Sequence, residues 1–81
     1  MKNSNKRSNW NEMKNLFPIG RKFLYRGLEM LVIEHHVPLG NIWAPPGRPY
    51  IVCEYLTCLN ELAKRYFDDS ELPLLMALSD L

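Results

Sequence analysis

The sequence predicts a small, mainly β domain headed by a short helix, with a strongly bent sheet around one core. Three observations carry this. Segments 22–26, 28–37 and 50–57 are rich in aromatic and β-branched residues that suit a pleated surface. Proline and glycine punctuate the chain where those segments end. At 81 residues, 47% of them apolar and 23% charged, the composition is that of an ordinary folded domain with room for a single core.

Residues 1–8 (MKNSNKRS) hold no apolar side chain after Met1, so they cannot offset their ordering entropy by burial and read as a flexible basic arm before a domain spanning 9–81. Trp10, Met13 and Phe17 then recur at helical spacing, with Asn9 and Glu12 placed like a capping box, which predicts a helix over 10–16. Pro18 and Gly20 stop it. Phe23 and Tyr25 share one side of the first strand, and Gly27 permits a tight turn into the second. Residues 38–49 (PLGNIWAPPGRP) carry four prolines and two glycines, which forbids a central strand and describes a stiff, ordered loop around Trp43. The third strand places Tyr50, Val52, Glu54 and Leu56 on one face and Ile51, Cys53 and Tyr55 on the other.

Segment 59–67 has two readings. Leu59, Leu62, Ala63, Tyr66 and Phe67 fit an amphipathic helix, which would make the fold α+β with a C-terminal helix. Alternatively Cys58, Leu59 and Asn60 form a turn, and 61–67 returns as a strand. Residues 68–75 then close the chain with a helical turn capped by Ser70 or Asp69, where Pro73 is tolerated in the first turn.

The net charge of +1 conceals an asymmetry: +6 over residues 1–26 and −5 over 27–81. A basic end can attract phosphate backbones through Lys2, Lys6, Arg7, Lys14, Arg21 and Lys22, and an acidic face with Glu61, Asp68, Asp69 and Glu71 can occupy a partner's basic surface. The bland alternative is a solubilising tail whose field the other half offsets. Asp68, Asp69 and Glu71 also have the spacing of a helix entry, where acids complement the macrodipole. Trp43 can either lid the core or anchor a partner, since a proline-stiffened loop presents a large aromatic at low entropic cost. Tyr25, Tyr50, Tyr55 and Tyr66 could stack bases on a sheet face, as in small nucleic-acid barrels, or simply pack across strands.

His35, His36, Cys53 and Cys58 are the residues from which a zinc site would have to be built. Neighbouring histidines on a strand point to opposite faces, and the cysteine spacing is wider than the usual structural pair, so neither metal nor cofactor is expected. No phosphate-binding glycine loop, nucleophile elbow or metalloprotease helix motif occurs, which argues against an enzyme. Two cysteines are too few for a disulfide scaffold, the apolar run 30–33 is far too short to span a bilayer, and residues 1–15 lack a secretory apolar segment; the expected location is cytoplasmic.

The runs FPIGRKFLYRGLEMLVIEHH, YIVCEYLTCLNEL and YFDDSELPLL resemble small uncharacterised proteins of phages, prophages and other mobile elements over residues 17–75. That resemblance implies an SH3-like barrel, in which 61–67 is a strand, although the turn here lacks the usual glycine. It carries no catalytic residue. The function it implies is non-enzymatic binding to a host protein, as by an anti-CRISPR or other anti-defence inhibitor. The alternative, read from the basic N-terminal region, is a nucleic-acid-binding, for instance DNA-binding, accessory or regulatory protein.

Overall fold

The computed structural model describes residues 5–80, with side chains from residue 9 to 79. Met1 to Ser4, half of the expected arm, lie outside them. The other half is helical: α1 runs Asn5–Leu16, so Asn9 is an interior residue of the helix and not its cap. Its end follows the sequence signals, with the Phe17 N–H donating to the Met13 carbonyl at 2.8 Å just before Pro18.

Strand β1 (Lys22–Tyr25) turns into β2 (Leu28–His36) through Arg26 and Gly27. Both turn residues have positive φ, 52° and 85°, the conformation of a two-residue type I′ hairpin. β3 (Tyr50–Leu56) pairs with β2, and β4 (Leu62–Asp68) pairs with β3 over seven residue pairs. A 3-10 turn (Asp69–Glu71) leads into α2 (Leu72–Leu78), and the two-residue β5 (Ser79–Asp80) pairs with β1.

Segment 62–68 is therefore a strand and the C-terminal amphipathic helix does not form. Of the five residues that fit its period, Phe67 alone is fully buried, while Leu59, Leu62 and Tyr66 are exposed. The missing glycine is supplied by Asn60, whose φ of 68° takes the left-handed turn conformation that asparagine tolerates better than other side chains. Thr57 closes this turn, its carbonyl accepting from Asn60 N–H at 2.9 Å and its Oγ1 from the N–H groups of Leu59 and Glu61 at 3.2 and 3.3 Å. Pro73 sits in the first turn of α2, as its missing N–H permits. The cap of the preceding 3-10 turn is Asp68, not Ser70 or Asp69. Its Oδ1 accepts from Ser70 N–H at 2.9 Å while Glu71 Oε1 accepts from Asp68 N–H at 3.0 Å.

The sheet order is β4-β3-β2-β1-β5, all antiparallel. Its concave face carries Phe23, Tyr25, Met30, Val32, Ile51, Cys53 and Phe67, packed with Met13 from α1, Phe17 just after it, and Leu72 and Leu75 from α2. In a flat sheet β1 and β4 would lie ~14 Å apart, three strand spacings. Instead the rings of Tyr25 and Phe67 meet at 5.0 Å, so the sheet curls strongly. A bulge between Val32 and Glu34 adds to the bend and turns His35, opposite Ile51, toward the core side. There His35 Nε2–H donates to the Phe17 carbonyl at 2.7 Å, tying the end of α1 to β2. The curl does not close: among the described residues β4 and β5 form the two edges, and the expected barrel is an open sheet.

Cys53 is fully buried within this core, and burial pushes its thiol from 9.0 up to about 12. Cys58 lies exposed in the β3–β4 turn. Alkylation of the native chain at pH 8 should consume one thiol, Cys58, and a second after denaturation, as counted by mass spectrometry; two fast thiols in the native state would mean that β3 is not in the core. Because the unfolded Cys53 thiol ionises near 9 and the folded one near 12, this residue's contribution to stability is present below the first value and lost as pH rises toward the second.

Candidate docking loop and the surfaces around it

The sequence 38–49 builds a rigid finger. Asn41 Oδ1 accepts from the N–H groups of Trp43 and Ala44 at 2.7 and 2.9 Å, the Asx turn that a short side-chain carbonyl favours. Asn41 N–H donates to the Ala44 carbonyl at 2.9 Å, and Ala44 N–H donates back at 3.3 Å. The tetrapeptide is thereby closed with Ile42 and Trp43 at its tip. Gly40 is required by packing: a Cβ there would lie 2.5 Å from Pro46 N and 2.8 Å from the Ala44 carbonyl oxygen, both backbone atoms that cannot swing aside.

At the root, Arg48 Nε donates to Asp69 Oδ1 at 2.9 Å, and Asp69 N–H donates to the Pro49 carbonyl at 3.1 Å. The loop is thus held against the 3-10 turn. Its tip is not. Trp43 is 86% exposed and Ile42 87%, so the tryptophan does not lid the core. Leu39 is exposed on the same loop. Beside the root, on the convex face, the rings of His36, Tyr50 and Tyr66 lie in a row, tilted against one another, with centroids 5.0 and 5.4 Å apart.

The expected acidic residues do not form one surface with it. Asp68 and Glu71 are engaged in the capping box, and Asp69 is only 5% exposed and paired with Arg48. Glu61 is exposed but sits in the β3–β4 turn, at the opposite end of β4 from Asp68, ~20 Å away by strand rise. The basic residues divide as well. Lys14, on α1, places Nζ 5.7 Å from the Trp10 ring centroid on the concave side, Lys22 belongs to the convex face, and Arg21 precedes β1 with its carbonyl accepting from Val32 N–H. Lys2 and the side chains of Lys6 and Arg7 lie outside the described residues. The four tyrosines split in pairs, Tyr25 and Tyr55 concave, Tyr50 and Tyr66 convex, so they make no single stacking face. His35 and His36 likewise point to opposite faces, and among the described residues no three of His, Cys, Asp and Glu converge on a point that could hold a metal.

Trp43 stands out in the sequence as a loop aromatic, whereas the residues that hold its loop were not singled out there. The Gly40-Asn41 pair was a legible turn signal. The Arg48–Asp69 pair, 21 residues apart, had no local signature. Among the described residues no helix is long and apolar enough to cross a membrane. Compared with known proteins, the chain matches no family model, no curated protein and no solved structure, so its functional reading stands on its own geometry.

Proposed function

We propose that this chain is a non-enzymatic protein-binding module that docks through the Ile42-Trp43 tip, in the manner of a phage or mobile-element inhibitor blocking a host complex such as a CRISPR–Cas component. The observation that carries the reading is the pairing of near-complete exposure with local order. Two large apolar side chains stand in solvent on a turn whose backbone is already hydrogen-bonded. Burying them in a partner regains apolar area, and the closed turn has little conformational freedom left to lose. Leu39 and the Tyr50–Tyr66 row would extend the contact around this anchor. The strand order, with a 3-10 turn and then α2 between β4 and the last strand, supports an SH3-like relation in which the gap between β4 and β5 stays open.

The test uses the purified chain and its Trp43→Ala variant against the protein that affinity capture from the host recovers. Trp43→Ala should weaken that complex at least tenfold, ~1.4 kcal/mol or more, mainly through faster dissociation. Its melting temperature should stay within ~2 °C of the parent, because the side chain leaves no cavity. Unchanged affinity would overturn the docking role of the loop. Charge reversal at Glu61, remote from the tip, should alter the association rate alone.

A further inference from the structure

At the end of the sheet away from Trp43, a cavity of about 230 Å³ opens on the concave side, lined by Tyr25, Arg26, Leu28, Met30, Tyr55 and Arg65. Its lining is unlike the rest of the acidic half. It contains two guanidinium groups and no carboxylate, and neither arginine has an acidic partner within salt-bridge distance among the described residues. Arg65 sits over two aromatic rings, its Cζ 5.4 Å from the Tyr25 centroid and 4.8 Å from that of Phe67, a contact that leaves its N–H donors available. Met30, 1% exposed, gives the cavity an apolar floor, and half-buried Tyr55 gives it an aromatic wall.

Arg26 adds an independent sign. It holds φ at 52° at the first position of a type I′ turn, where asparagine, aspartate or glycine fits with less strain. A bulky cation at a strained position, beside a second cation that like it has no acidic partner among the described residues, points to a ligand. We infer that this cavity binds a nucleotide, free or within a single strand: the phosphate between Arg26 and Arg65, the flat base against Tyr55 over the floor of Leu28 and Met30. Arginine supplies planar phosphate donors, and base–aromatic stacking tolerates any base. An isolated carboxylate would use the arginines and leave the aromatic wall and apolar floor without a partner.

The test is titration of the full chain, followed by backbone amide shifts, with uridine monophosphate, uridine, inorganic phosphate, a five-nucleotide oligouridylate and an acidic pentapeptide. Uridine monophosphate should perturb the cavity residues and bind at least tenfold more tightly than uridine, phosphate or the peptide. Affinity equal to that for the monophosphate identifies a free nucleotide as the ligand, and tenfold tighter binding of the oligonucleotide identifies a single strand; each supports the site. The decisive variant is Arg26→Asn, which relieves the turn. It should keep or raise the melting temperature while weakening nucleotide binding at least fivefold. Parent-like affinity in Arg26→Asn, equal binding of phosphate or peptide and nucleotide, or no binding at millimolar nucleotide would each overturn the inference.

Discussion

Phe67→Ala should unfold a measurable fraction of the protein at room temperature and lower its melting temperature by ~12–40 °C. Phe67 is fully buried, stands opposite Ile51 in the β3–β4 ladder and meets the Tyr25 ring edge-on at 5.0 Å. It therefore joins β4 to β1 across the curl, where no backbone hydrogen bond does so. Truncating a buried phenylalanine removes its transfer free energy and leaves a cavity, together about 3–5 kcal/mol. A domain of this size has only ~4–12 kcal/mol in total. Each kcal/mol moves the midpoint of so small a protein by ~4–8 °C, which gives the range above. Phe67→Leu fills most of the volume and should recover more than half of the loss. A Phe67→Ala midpoint within a few degrees of the parent, read by circular dichroism, would show that β4 does not fold over β1 in solution.

Asp69→Ala should cost about 2 kcal/mol and loosen the docking loop. The carboxylate is 7% exposed and, among the described residues, its one ionic partner is Arg48, whose side chain is 59% exposed. Removing one member of a fully buried pair costs about 3–5 kcal/mol, but here Arg48 can rehydrate, so the loss is set lower. Asp69→Asn keeps a hydrogen-bond acceptor for Arg48 and should cost less than Asp69→Ala. The informative readout is local. Amide exchange over 41–44 should accelerate in Asp69→Ala if the root steadies the tip, and the partner's affinity should fall through preorganisation even though Asp69 contacts nothing outside the chain. Exchange in the loop equal to the parent would show that Asn41 and the prolines order it without the root.

What the sequence determined by itself was local. Alternating apolar residues set the first three strands, because a pleated backbone sends neighbours to opposite faces whatever the strand later pairs with. Pro18 and Gly20 ended α1, and four prolines kept 38–49 out of the sheet, since a missing N–H and a fixed φ act within a residue or two. Trp43 was recognisable as a residue of a stiff loop for the same reason: Pro45 and Pro46 are its near neighbours in the chain, whereas its exposure was left for the structure to decide. The tertiary structure decided everything that turns on partners distant in sequence. It made 62–68 a strand against a helical period, because seven pairings with β3 and the burial of Phe67 outweigh a propensity difference of a few tenths of a kcal/mol per residue. It withdrew Asp69 from the surface by bringing Arg48 to it, and it separated Glu61 from Asp68 by the length of β4. It also gathered Arg26 and Arg65 around one cavity. Charge totals along a chain carry no record of which face a strand presents. That assignment is fixed only when the sheet curls and one of its faces is buried.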